Sequence, residues 1–194
     1  MPPPPHGFLP PHGGYEQLLS YQKALIVFDG TIYFTRRWLP ARGDRTVDQM
    51  VQAARSGKQN IVEGSAAAGT SKEMELKLTN VALASLRELQ EDYQDFLRSK
   101  RLPPWPSSHP RVHRLREMNR TPTACYDTFR ADIESDDPEV SANTLLGLVK
   151  VTCYLLQRQV QSLEQSFLKH GGLRERMTHA RLEVRKKQQR DGEA

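Results

Sequence analysis

Cysteine is scarce in this chain: Cys125 and Cys153 are the only two, they lie far apart, and they have no metal-ligand spacing. A reduced, cytoplasmic protein is the expectation. No apolar run approaches the length that crosses a bilayer, and the start of the chain has no basic segment followed by an apolar stretch, so no membrane contact is expected. No period of 20 to 50 residues recurs, and no segment alternates as a strand. At 37% hydrophobic and 26% charged residues over 194 positions, one buried core with a polar surface and extended tails is the expected balance.

What remains is helical periodicity. Residues 1–14 (MPPPPHGFLPPHGG) are rich in proline and glycine, which cannot propagate a helix, and read as a disordered leader. A first helix is expected from Tyr15 to Leu39 with Leu18, Tyr21, Leu25, Phe28 and Ile32 on its inward stripe, ended by Pro40, with Gly30 tolerated at some cost. A second runs from about Thr46 to Gly64 with Val47, Met50, Ala54 and Ile61 inward. A third runs from Ser71 to about Arg98 with Met74, Leu78, Leu86, Leu89, Tyr93 and Phe96 inward. Thr70 is read as its cap, with Glu73 completing a capping box. The short link makes the second and third helices an antiparallel hairpin.

Four prolines in LPPWPSSHP, residues 102–110, interrupt this pattern, and short helices follow from Arg111 to Ser135, the second opened by Thr121 and Pro122. Asp137 and Pro138 open the longest helix, about Glu139 to Lys169, which places Leu145, Leu148, Val149, Thr152, Leu155, Leu156, Leu163 and Phe167 on one face; Gly171 and Gly172 end it. The expected fold class is all-α: an antiparallel four-helix bundle over residues 15–172, an insertion over about 99–137, and a basic C-terminal helix or tail over 173–194. Residues after about Lys187 are expected to be disordered. Leu76 and Leu83, on a second face of the third helix, are expected to pack against a neighbouring subunit.

Arg55, Ser56, Asn60, Ile61, Glu63 and Gly64, followed by Ser71, Glu73, Ala82, Ser85, Leu86, Glu88 and Leu89, form a spaced pattern. It resembles the signature of the bacterial four-helix-bundle family first noticed as proteins encoded in ribosomal RNA intervening sequences. That family includes the accessory variability proteins of diversity-generating retroelements, which work beside a reverse transcriptase. The resemblance implies a four-helix bundle, a pentameric homo-oligomer with basic surfaces, and a reverse transcriptase as partner. Arg55, Ser56, Asn60, Glu63, Gly64, Ser85 and Glu88 carry the motif as structural residues. Gly57, Lys58 and Gln59 stand where the family commonly has Ser-Ile-Pro, and the link before the last helix is longer here.

Charge is unevenly placed. Between residues 98 and 120, Arg98, Lys100, Arg101, Arg111, Arg114, Arg116 and Arg120 face one acid, Glu117, for a local charge of +6. Between residues 173 and 190, Arg174, Arg176, Arg181, Arg185, Lys186, Lys187 and Arg190 face Glu175 and Glu183, for +5. Residues 127–139 carry six acids against Arg130. Basic clusters at one end of a bundle, with Trp38, Trp105 and His113 for stacking, suit RNA or DNA: phosphates meet the cations and exposed bases meet the rings. The expected nucleic-acid contacts are Arg98, Lys100, Arg101, Arg111, Arg114, Arg116, Arg120, Arg181, Arg185, Lys186 and Lys187. A protein-interaction scaffold without nucleic-acid contact is the alternative.

Catalysis is not expected. His109 and His113 have i, i+4 spacing, but Pro110 lies between them and no carboxylate stands where a zinc hydrolase places its base. His6 and His12 fall in the leader. Glu63, Glu73 and Glu88 lack the Glu-x-x-His partners of a carboxylate-bridged metal centre. No metal or cofactor is therefore expected. Cys125 and Cys153 are both read as buried apolar residues. Asn60 and Glu63 are read as bonding across the bundle or to backbone near Gly64, and Arg87 as pairing with Glu91 on an exposed face.

Overall fold

The computed structural model describes residues 13–39, 45–121 and 123–192. Among them there is no strand. A 3-10 turn (Tyr15–Gln17) precedes seven helices: α1 (Leu19–Trp38), α2 (Arg45–Ala67), α3 (Lys72–Ser99), α4 (Pro110–Arg120), α5 (Tyr126–Ile133), α6 (Pro138–His170) and α7 (Leu173–Gly192). No helix of the described residues is long and apolar enough to cross a membrane.

α1 packs on α2 and on α6, and α3 packs on the same two helices, so the four close a ring around one core. Across the ring, Phe34 of α1 meets Tyr93 and Phe96 of α3 edge to face. The Tyr93 hydroxyl shares a 2.9 Å hydrogen bond with Thr31 Oγ1. Ser20 Oγ donates to Gln159 Oε1 at 2.8 Å, tying α1 to α6. The insertion lies against α6: Trp105 N donates to Asn143 Oδ1 (2.8 Å), Asn143 Nδ2 donates to the Pro103 carbonyl (3.1 Å), and Trp105 Nε1 donates to Glu139 (2.8 Å).

Helix ends follow local chemistry, with two corrections. Ser71, and not Thr70, caps α3: its hydroxyl accepts from Met74 N at 3.1 Å. That cap is worth about 1 kcal/mol. Thr70 instead donates to the Ala67 carbonyl and closes α2, which runs past Gly64 to Ala67. The second short helix opens at Cys125, where Thr128 Oγ1 accepts from Cys125 N, while Thr121 sits at the end of α4; Pro122 lies outside the described residues. Asp137 caps α6 by accepting from Glu139 N, and Gly171, at φ +63°, ends it as expected.

The first helix starts later than Tyr15, because Leu18 is extended, and its buried face differs from the expected stripe. Ala24, Val27, Thr31 and Phe34 are buried, whereas Leu18, Tyr21, Leu25, Phe28 and Ile32 are half-buried on its flank. Gly30 is also more than tolerated: a Cβ there would stand 2.5 Å from Leu145 Cδ2. On α3, Leu86, Leu89, Tyr93 and Phe96 are buried, Leu78 is half-buried, and Met74 is exposed. Leu83 is buried within its own chain and Leu76 half-buried, so neither offers the open second face expected for a neighbouring subunit. On α6 the expected face is buried as far as Leu156 except for the half-buried Leu155, then opens through the half-buried Leu163 to an exposed Phe167.

Of the expected leader, residues 1–12, with His6 and His12, lie outside the described residues; Gly13 N donates to the Ser65 carbonyl at 3.3 Å. At the other end, α7 continues past Lys187 to Gly192, because Gln188, Gln189 and Arg190 propagate a helix readily.

Candidate nucleic-acid interface

The two basic segments join the bundle at different points along α6, and nothing in their contacts brings them to the one end expected. Leu115 of α4 seats on α6 at Gly147, near the start of that helix. α7 begins after His170, at the other end of α6. At about 1.5 Å per residue, the separation along α6 is roughly 35 Å.

In the first segment, Arg98, Lys100, Arg101, Arg111, Arg114, Arg116 and Arg120 are all exposed. Arg101 adopts φ +57°, and Leu102 N donates back to the Leu97 carbonyl at 2.9 Å, a turn that ends α3. Arg98 pairs with Asp95 (2.7 Å) and Arg111 with Asp132 (3.2 Å). Lys100 lies over the Phe96 ring at 6.0 Å. Arg114 and Arg120 form no ion pair with another described residue. In the second segment, Arg181, Arg185 and Lys186 are exposed, and Lys186 pairs with Glu183 at 3.4 Å. Lys187 lies on α7, and its side chain is outside the described residues.

The rings expected to stack are mostly engaged. Trp105 lies parallel to His109 at 4.7 Å, and Trp38 is half-buried beneath Arg37. His109 Nδ1 accepts from Arg111 N and so caps α4, while His113 is exposed. An aromatic outside the sequence reading stands free instead: Tyr154 of α6 is 60% exposed. Lys150, Tyr154 and Arg158 are exposed at i, i+4 and i+8 and share one face of α6. That spacing is visible in the sequence, but the apolar neighbours Cys153, Leu155 and Leu156 hide it within the core pattern.

Two depressions flank this stripe. One, between α3 and α6, is an open groove of about 680 Å³ lined by Arg87, Glu88, Glu91, Lys150, Cys153 and Tyr154 among others. The expected Arg87–Glu91 contact is not among the ion pairs of the described residues; both side chains border this groove instead. The other, between α4 and α6, is a more enclosed cleft of about 480 Å³.

The motif residues make a small polar network between α2 and α3. The hydroxyls of Ser56 and Ser85 meet at 2.9 Å, Asn60 Nδ2 donates to the Ser56 carbonyl at 2.9 Å, and Ser85 Oγ donates to the Val81 carbonyl at 3.0 Å. Asn60 thus turns back along its own helix, and Ser56 makes the crossing. Glu63 accepts from Gln59 at 3.4 Å, and Arg55 and Glu88 are exposed.

The cysteines divide. Cys153 is buried, which pushes its thiol up to about 11. Cys125 is exposed, contrary to expectation, because it is the N-cap that precedes α5; hydrogen bonds from the Thr128 and Asp127 amides hold its thiol below the ordinary value. Lys23 is buried beside the Phe129 ring (5.5 Å), and loss of hydration pushes its ammonium below the usual range. No family model, curated protein or solved structure matches the chain.

Proposed function

We propose that this chain is a non-catalytic, homo-oligomeric protein that binds RNA or DNA through its two basic segments. The observation that carries this reading is the surplus of uncompensated cation on the first segment. Arg114 and Arg120 are exposed and form no ion pair with another described residue; Glu117, three residues from each, is the single acid of the segment, while Asp132 is drawn to Arg111 and Asp127 and Glu134 to Arg130. Such charges release counterions from a phosphate backbone. The ring of α1, α2, α3 and α6 supports an antiparallel four-helix bundle. The resemblance of the α2–α3 motif supports a pentamer and a reverse-transcriptase partner.

For assembly, the supporting surface is α7 in place of Leu76 and Leu83. Leu173, Met177, Ala180 and Val184 recur at spacings of four, three and four, a seam in which Met177 and Val184 are exposed. Exposed apolar seams of this kind are covered by partners. Met177→Glu combined with Val184→Glu is expected to reduce the assembled mass in light scattering while leaving the helical signal of α1–α6 intact. A strict monomer for the unaltered protein at micromolar concentration would remove the oligomer from the reading.

Binding is tested by replacing Arg114, Arg116 and Arg120 together with glutamine, sparing Arg111, which Asp132 already holds. Affinity is expected to fall, and the log-log salt slope to lose about 2 units on a single strand if all three meet phosphates. Sequence preference should change little, since phosphate contacts position without reading bases. Absence of salt-dependent affinity of the unaltered protein for any RNA or DNA near physiological ionic strength rejects nucleic-acid binding and leaves the scaffold alternative.

A further inference from the structure

We propose that the cleft between α4 and α6 receives one unstacked nucleotide of a bound single strand, a proposal that rests on the nucleic-acid reading above. Its walls include Leu115 and Val112 of α4 and Leu146, Val151 and Tyr154 of α6, with Trp105 of the insertion at one side. Arg116 and Lys150 also line it, and none of the lining residues carries a carboxylate. A cleft of about 480 Å³ lies within the range of ligand pockets, roughly 300–1,000 Å³. Apolar walls with two cations and no acid match a flat, apolar-faced group that carries an anion, which is the chemistry of a nucleobase and its phosphate.

The cleft is built in advance of any ligand. Gly147 lets α4 approach α6 closely, since a Cβ there would stand 2.3 Å from Leu115 Cδ2. Trp105 is held in the wall by Asn143 and Glu139. Asn119, another lining residue, is fixed as well: its Nδ2 donates to the Leu115 carbonyl at 2.9 Å. Two observations favour a strand over a free nucleotide. Tyr154 is exposed, and Arg158, exposed one turn further along α6, gives a phosphate beside the inserted base a further cation.

The test uses the full chain and labelled single-stranded oligonucleotides, with adenosine monophosphate and ribose 5-phosphate as competitors. Tyr154→Ala removes an exposed ring and should fold normally; it is expected to weaken strand binding about five-fold or more at fixed salt with an unchanged salt slope. Val151→Trp, which fills the cleft, should do the same and also abolish competition by adenosine monophosphate; a melting curve checks that it folds. Arg116→Gln with Lys150→Gln should weaken the competition by both phosphates. A photo-crosslink from a thiolated base in the strand is expected at Tyr154 or Trp105. Salt-dependent strand binding that is unaltered in both Tyr154→Ala and Val151→Trp overturns the cleft while leaving the basic surface standing. If the unaltered protein binds no strand at all, the functional reading fails together with this proposal.

Discussion

Phe34→Ala is expected to destabilise the protein by about 3–5 kcal/mol, the range for a fully buried aromatic cut back to a methyl. Phe34 is completely enclosed, with its ring 5.1 Å from Tyr93 at 68° and 4.7 Å from Phe96 at 76°. Edge-to-face geometry adds about 0.5–1.5 kcal/mol per pair beyond the area buried. The substitution also leaves Tyr93 bordering a cavity, although its hydroxyl keeps Thr31 as partner. Because the cluster joins α1 to α3 across the ring, the loss should appear as one cooperative shift of the urea midpoint and not as local fraying of α1. Phe34→Leu, which fills part of the space, should cost less than half as much. A loss below about 1 kcal/mol for the alanine variant would mean that the cluster relaxes into the cavity and does not hold the two helices together.

How far the fold could be read in advance depended on whether the deciding interaction was local. The α2–α3 hairpin and the start of α6 follow from residues next to one another: a short link, a serine hydroxyl on Met74 N, and Asp137 on Glu139 N. Choosing between Thr70 and Ser71 as the cap failed because both hydroxyls sit at the junction and only the end of α2 decides. The α1 face is hidden from the sequence for a different reason. Its buried side carries Ser20, Lys23, Thr31 and Thr35, which read as polar letters. Thr31 and Thr35 satisfy their hydroxyls on the Val27 and Thr31 carbonyls of the same helix, so they enter a core at little cost.

For the candidate site, the basic segments were legible as composition, since charge density needs no tertiary structure. Their separation was not, because it follows from α4 seating near the start of α6 while α7 leaves from its end. Tyr154 and the cleft beside it were missed for the same reason. The cleft exists because Leu115 meets Gly147 across more than thirty positions of sequence, and a helical stripe of Lys150, Tyr154 and Arg158 has no meaning until α6 is known to leave that side uncovered. Cys125 reads as buried because free cysteines are so often core residues, whereas its N-cap position before α5 sets it in solvent.

Gly57→Ala is expected to destabilise the protein even though alanine is the better helix former by about 1 kcal/mol. Gly57 is buried within α2, and a Cβ there would lie 2.7 Å from both Cγ and Cδ2 of Leu86 on α3. Leu86 is fully buried, so its branch point cannot swing aside as a free end would. Overpacking of this kind costs about 1–3 kcal/mol, leaving a net loss of up to roughly 2 kcal/mol for alanine and more for valine. Gly64, the glycine of the family-like motif, is the control. A Cβ there meets nothing nearer than 3.4 Å, so Gly64→Ala should be neutral or stabilising. The contrast puts the tight helix crossing at Gly57 and not at Gly64. A double-mutant cycle separates crowding from any other cause: in a Leu86→Ala background, which removes the opposing atoms, Gly57→Ala should lose its cost and become stabilising, a coupling on the order of 1–3 kcal/mol. If Gly57→Ala raises the melting temperature in the unaltered chain, the close approach of α2 and α3 at this point is wrong, and with it the reason why Ser56 and Ser85 stand within hydrogen-bonding distance.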